Sequence, residues 1–258
     1  YGGDTGYAEF WLNMIRRGFT TAGPLWFLWL LLVFDCIAAL LHRAIRQPET
    51  LFQDRTIVEF QRPIRFFVAL FAVSTLAYLP LALLFGPSQW SGVGPFVFQT
   101  NRVLFYLVYF LVGVAAGAYG INRGILQSGS TLARQWWAWL ILGLVGYGTL
   151  VVLVAGGAPQ IAVASLVFSA TCAALVIGTV AFFLRRMTRH VHILDSLAAC
   201  AYGIYIVHYA FVTWLQYALL NVHMSAVTKG FVVFAGALTL SWIATYILRR
   251  IPVVARVI

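Results

Sequence analysis

Charge is the scarcest property of this sequence. Only 9% of its 258 residues are charged, and Asp and Glu together number 7. A soluble domain of this length needs a far more polar surface, so a soluble fold is excluded. Hydrophobic residues make up 62% of the chain, and the mean hydropathy is +0.90. We therefore interpret the chain as an integral membrane protein.

The motifs of many familiar enzymes are also missing. The sequence contains no serine nucleophile elbow, phosphate-binding P-loop, dinucleotide fingerprint, zinc-binding helix or EF-hand. Its three cysteines, Cys36, Cys172 and Cys200, lie inside apolar runs and lack metal-ligand spacing. We therefore expect no metal site, and we interpret the cysteines as small packing residues.

Positive charge outweighs negative charge, since 17 Lys and Arg residues give a net charge of +10. Such a basic chain often binds nucleic acid. Here, however, the basic residues separate apolar runs, where membrane topology explains them better. We therefore expect a lipid bilayer as the environment and no nucleic-acid partner.

Runs of about 20 apolar residues, the length that crosses a bilayer as a helix, recur along the chain. They cover residues 22–41, 63–85, 101–119, 132–155, 160–184, 197–220 and 226–248. The sequence therefore predicts an all-α bundle of about seven transmembrane helices, forming a single domain over residues 1–258. Small residues in the third and fourth runs, such as Gly113, Gly117, Gly143, Gly146 and Gly148, predict close helix approach.

Lys and Arg are distributed unequally between the two sets of alternate connections. Thirteen lie on one side: Arg43, Arg46, Arg55, Arg62, Arg65, Arg123, Arg134, Arg185, Arg186, Arg189, Arg249, Arg250 and Arg256. Four lie on the other: Arg16, Arg17, Arg102 and Lys229. Because cytoplasmic loops accumulate basic residues, we expect the C-terminus in the cytoplasm and the segment around Tyr1 outside.

One histidine, His208, lies in the sixth run, close to the middle of the membrane. Ionisable groups at this depth are costly, and they usually face the protein interior or a water-filled cavity and serve function. Tyr202, Tyr205, Tyr209 and Gln216 lie on or beside the same helical face. A structural alternative stays open at this point, in which His208 only forms a hydrogen bond to a neighbouring helix.

Several arginines beside the second and fifth runs would meet on the cytoplasmic side. They are Arg62, Arg65, Arg185, Arg186 and Arg189, accompanied by His190 and His192. Because a guanidinium group binds phosphate in a bidentate fashion, this set predicts an anion site for a phosphorylated donor such as a coenzyme A thioester. The alternative is a solvated connection whose arginines only set the topology.

Four stretches, in the same order along the chain, resemble the membrane acyltransferase 3 family. Gly23–Trp29 resembles its "LWFL" signature, and Phe105–Gly113 is similar to its "F-Y-L-x-x-F-x-x-G" span. Tyr202–His208 is similar to the family's "S-x-x-I-Y-L-x-H" stretch, and Arg250–Pro252 resembles its closing "R-I-P". The spacing most resembles the branch that adds succinyl groups to periplasmic glucans.

This resemblance implies an enzyme of the bacterial inner membrane. Such an enzyme transfers an acetyl or succinyl group from cytoplasmic acetyl-CoA or succinyl-CoA to a hydroxyl of an extracytoplasmic carbohydrate. The family has about ten spans and its main catalytic histidine lies in the first ones, whereas the first span here resembles the family's fourth. The resemblance therefore implies that the first three spans and the main histidine are not in this chain, and that activity of this chain depends on them.

Within that reading His208 and Tyr205 have supporting catalytic roles, either orienting the substrate or polarising the thioester carbonyl. Two other classes of protein stay open. One is a transporter, in which His208 and Asp35 belong to a proton or solute pathway. The other is a non-catalytic membrane scaffold.

Overall fold

The computed structural model describes residues 26–44, 62–93, 96–120, 123–157, 160–187 and 191–254. The helices are α1 (Trp26–Ala44), α2 (Pro63–Phe85), α3 (Val103–Tyr119), α4 (Thr131–Arg134), α5 (Trp136–Ala155), α6 (Ile161–Arg186), α7 (His192–Ala218) and α8 (Ala226–Leu248). The strands are β1 (Trp90–Val93) and β2 (Phe96–Gln99). Helices α1 to α6, with the strands, form one compact unit, and α7 and α8 form a second.

The prediction of seven membrane-spanning helices is confirmed: among the described residues, 7 helices are long and apolar enough to cross a membrane. The sixth of these membrane-spanning helices, α7, begins earlier than predicted, at His192 rather than near residue 197. Hydropathy marks only the apolar part of a helix, whereas α7 continues through a first turn that holds Asp195. A carboxylate in the first turn suits the positive end of the helix dipole, so this polar turn remains helical.

A short β-hairpin between α2 and α3 was not predicted. Strands β1 and β2 pair antiparallel, with Trp90 opposite Gln99. Gln99 is buried, and its Nε2 donates to the carbonyl oxygen of Pro87 at 2.9 Å. The sequence carries a hairpin signal here, since Gly94-Pro95 separates two short runs that contain aromatic and β-branched residues.

Helices α5 and α6 pack closely and run antiparallel. A Cβ added at Gly178 of α6 would lie 2.8 Å from the backbone nitrogen of Leu140, and one added at Gly146 of α5 would meet Thr171. A glycine lets the facing helix approach this closely, which is how small residues join membrane helices. The close approach predicted for Gly143 and Gly146 is therefore confirmed.

Helices α2 and α6 also run antiparallel. Leu70, near the start of α2, belongs to the same apolar cluster as Ile177 and Ala181 near the end of α6. Further along α2, the ring of Tyr78 lies against that of Phe168, with centroids 4.9 Å apart. The start of α2 and the end of α6 therefore lie at one end of the first unit, and the hairpin lies at the other.

The second unit is an antiparallel helix pair. Gly203 of α7 faces Thr245 of α8, and a Cβ at Gly236 of α8 would lie 2.9 Å from Leu215 of α7. The indole Nε1 of Trp242 donates to Ser196 Oγ at 3.1 Å. Arg249, just after α8, also donates to the carbonyl oxygen of Ala199 in α7. These glycine contacts and hydrogen bonds fix the register of α7 on α8.

Candidate functional site

His208 lies in α7 with its imidazole ring held by its own helix. Its Nδ1 lies 2.6 Å from the backbone carbonyl oxygen of Tyr205, one turn earlier. A carbonyl oxygen can only accept a hydrogen bond, so Nδ1 carries the proton. In the neutral ring Nε2 is then unprotonated and carries a lone pair that can accept a hydrogen bond.

The position of His208 around α7 sets what else it can contact. Each residue turns a helix by about 100°, so His208 lies roughly 80° from Cys200 and roughly 140° from Gly203, the two buried positions of α7. Its side chain is half-buried. Within the described part of the chain, His208 forms no hydrogen bond to another helix, so the structural alternative of a helix-to-helix bond gains no support.

The tyrosines predicted near His208 differ in their surroundings. The ring of the half-buried Tyr205 lies 5.7 Å from the imidazole, centroid to centroid, at an interplanar angle of 39°. Tyr202, Tyr209 and Gln216 are exposed. The structure therefore brings only Tyr205 of this set against the imidazole ring.

The predicted phosphate-binding arginines of the first unit lie at one end of its helices. Arg62 and Arg65 flank the start of α2, and Arg185 and Arg186 end α6, and all four are exposed. Arg189, the fifth predicted residue, lies outside the described residues. Because α2 and α6 are antiparallel, the four described arginines share one end of the unit.

Two further basic residues, Arg123 and Arg134, lie in the connection between the end of α3 and the start of α5. This connection lies at the same, arginine-rich end of the first unit. The guanidinium group of Arg186 lies over the indole ring of Trp136, 5.4 Å from the centroid. Among the described residues, no carboxylate forms an ion pair with any of these arginines. Exposed guanidinium groups without a carboxylate partner can bind phosphate oxygens.

An open groove lies between α3 and α6 at this arginine-rich end, with a volume of about 820 Å³. Its lining residues come from α3, from the α3–α4 connection and from the end of α6: Gly113, Ala116, Gly117, Leu126, Ser128, Thr179, Val180, Phe183, Leu184 and Met187. The sequence analysis missed this groove. Gly113 and Gly117 were interpreted as helix-packing residues, but a Cβ at either position would have no neighbour within 4 Å among the described residues.

A buried polar cluster at the opposite end of the unit was also missed. The side chain of Asn101 is fully buried, and its Nδ2 donates to the hydroxyl of Tyr78 at 3.3 Å and to the carbonyl oxygen of Pro87 at 3.1 Å. The guanidinium group of Arg102 lies over the ring of Phe168, 5.1 Å from its centroid. These contacts join the turn that follows β2 to α2, to the segment before β1 and to α6. The hydropathy pattern of the sequence gives no sign of them.

The fold and these groups define a class of protein: a polytopic integral membrane protein with a tautomer-fixed histidine in one helix pair and an arginine-rich helix end in the other unit. A family model described as an acyltransferase domain matches residues 1–246, and the chain belongs to this family, acyltransferase 3. The predicted family is thus confirmed. No curated protein and no solved structure matches the chain.

Proposed function

We propose that the chain is a membrane-bound O-acyltransferase that moves an acetyl or succinyl group from acyl-CoA to a hydroxyl of an extracytoplasmic carbohydrate. Family membership supports the acyl transfer. The resemblance to the periplasmic-glucan branch supports the carbohydrate acceptor and a place in the bacterial inner membrane. The excess of arginine at one end of the first unit supports a cytoplasmic position for that end, where acyl-CoA is available.

The observation that carries the proposal is the hydrogen bond from His208 Nδ1 to the carbonyl oxygen of Tyr205. It leaves Nε2 as an acceptor, and a sugar hydroxyl is the donor that such a nitrogen orients. Polarising the thioester carbonyl would instead require an N–H at Nε2. Of the two supporting roles that the family resemblance implies, the geometry therefore favours orientation of the acceptor hydroxyl.

The chemistry is a simple exchange of bonds. The hydroxyl oxygen attacks the thioester carbonyl carbon, a C–O ester bond forms and the C–S bond breaks. The hydroxyl proton ends on the sulfur of the released coenzyme A. A neutral imidazole that accepts the hydroxyl's hydrogen bond orients the oxygen toward the carbonyl carbon and increases its nucleophilicity.

The donor's phosphates would bind at the arginine-rich end of the first unit. Arg62, Arg65, Arg185 and Arg186 are exposed there, and Arg189 follows α6 in the sequence. Several guanidinium groups, each able to form two parallel hydrogen bonds, match the diphosphate and the ribose phosphate of coenzyme A.

Replacing His208 with alanine tests the proposal. We expect His208→Ala to lower acyl transfer by about 10²-fold, the cost of misplacing a reacting group, without loss of folded protein. His223→Ala is the matched control, because His223 lies exposed in the connection between α7 and α8. The proposed role would be wrong if folded His208→Ala turned over labelled acyl-CoA and acceptor as fast as the His223→Ala protein.

A further inference from the structure

The groove between α3 and α6 differs from the rest of the first unit, because there the two helices do not fill the space between them. Near the hairpin the same helices meet through large rings, with the centroids of Phe105 and Phe168 5.2 Å apart. At the arginine-rich end, α3 presents Gly113, Ala116 and Gly117 to the groove instead. The small residues of α3 leave the volume of the groove unfilled.

The mouth of the groove is basic. Helix α3 ends at Tyr119. The next residue, Gly120, has a φ of 96°, and a Cβ there would lie 3.7 Å from Cδ of Arg123. Arg185 follows the lining residue Leu184 at the end of the opposite wall, whereas the guanidinium group of Arg186 lies over Trp136 of α5. No acidic residue lines the groove among the described residues. An anionic group at the mouth would therefore meet positive charge from both walls.

The depth of the groove follows from helix geometry. Gly113 lies six residues before the last residue of α3, and Thr179 seven residues before the last residue of α6. At a rise of 1.5 Å per residue, the groove reaches roughly 10 Å along both helices from the basic end. Its polar lining side chains are the hydroxyls of Ser128 and Thr179. A slim, mostly apolar chain with a few amide groups and an anionic head fits this shape.

We propose that the groove binds the pantetheine arm and acyl group of the acyl-CoA donor, while the arginines at its mouth bind the coenzyme's phosphates. The inference rests on the proposed function, since it names where that function's donor lies. The hydroxyls of Ser128 and Thr179 match the amides of pantetheine, whereas a plain lipid acyl chain offers no partner for them. Charge complementarity at the mouth matches the phosphates.

Filling the groove tests the inference. In Gly117→Leu the new side chain enters open space, because no atom of the described part of the chain lies within 4 Å of the Cβ position. Gly148→Leu is the matched control: Gly148 lies in α5, is equally open and lies outside the groove. We expect Gly117→Leu to weaken binding of acetyl-CoA to the purified protein at least tenfold, roughly 1.4 kcal/mol, and Gly148→Leu to leave it unchanged.

Thr179→Leu, on the opposite wall, provides a second variant in case Gly117→Leu fails to fold. We expect it to weaken acetyl-CoA binding as well, because it removes a hydroxyl and narrows the groove. Equal acetyl-CoA affinity in a folded groove variant and in Gly148→Leu would overturn the inference and leave the proposed function standing. Absence of acetyl-CoA binding by the unmodified protein would overturn both.

A phospholipid is the competing occupant, and the same proteins distinguish it. Phospholipid that copurifies with each protein would be measured. If the groove holds lipid, the unmodified chain and Gly148→Leu would retain this phospholipid, whereas Gly117→Leu would lose it. That loss combined with unchanged acetyl-CoA binding would overturn the inference in favour of a lipid site. Loss of acetyl-CoA binding with unchanged retained phospholipid would support the donor.

Discussion

Two flanks of α6 use small residues in opposite ways. On the flank that faces α5, Gly178 contacts the backbone of Leu140, and Gly146 of α5 contacts Thr171, so added atoms have no room. On the flank that faces the end of α3, Gly113 and Gly117 of α3 line an open groove of about 820 Å³. The same residue type therefore joins two helices in one place and leaves space between two helices in another.

The difference teaches that spacing alone does not reveal the role of a membrane glycine. Gly113 and Gly117 are four residues apart, the spacing typical of close helix packing. Close packing also requires a partner helix at backbone distance, and at the basic end of α3 the facing residues of α6 are Thr179 and Phe183, which line the groove. The first flank serves stability, and the second, by our inference, serves binding.

Of the substitutions that test this difference between the two flanks, Gly178→Ala should change the free energy of unfolding most. Its new methyl group would lie 2.8 Å from the backbone nitrogen of Leu140, which cannot move aside as a side-chain tip can. Overpacking of this kind should destabilise the protein by about 2 kcal/mol. SDS-induced unfolding in mixed micelles measures it, with Gly148→Ala as the control. If both variants unfold at the same SDS fraction, α5 and α6 are not in close contact at this point.

Gly113→Ala should change the free energy of unfolding least. Its methyl group meets no neighbour within 4 Å in the part of the chain that the structure describes, and alanine is the better helix former. We expect no loss of stability and a gain of at most about 1 kcal/mol, the difference in helix propensity between glycine and alanine. The same SDS titration measures it. A loss as large as that of Gly178→Ala would show that a helix occupies the space we describe as a groove.

Much of the fold follows from the sequence because a bilayer imposes simple demands. Seven apolar runs predicted the seven long helices, since each must satisfy its backbone hydrogen bonds internally. The start of α7 did not follow, because Asp195 and its neighbours form a polar helical turn outside the apolar run. The hairpin was missed because its strands of 4 residues are far shorter than the apolar runs of about 20 residues that indicate membrane spans.

The candidate site could be predicted only in part. His208 is detectable because an ionisable residue stands out in an apolar run. Its tautomer depends on the contact of Nδ1 with the Tyr205 carbonyl oxygen, and only the three-dimensional structure shows this contact. Asn101 and the groove escaped prediction because both depend on which helices are neighbours, and hydropathy carries no information about that.

The central claim, acyl transfer from acyl-CoA to a carbohydrate, is tested most directly by following both products of one reaction. Membranes that contain the full chain would be incubated with labelled succinyl-CoA or acetyl-CoA and a periplasmic-type oligosaccharide. We predict alkali-labile label on the oligosaccharide and release of free coenzyme A thiol in equal amounts, both reduced by His208→Ala. Label that crosses the membrane without ester formation, or no thiol release beyond that of membranes lacking the chain, would contradict the account.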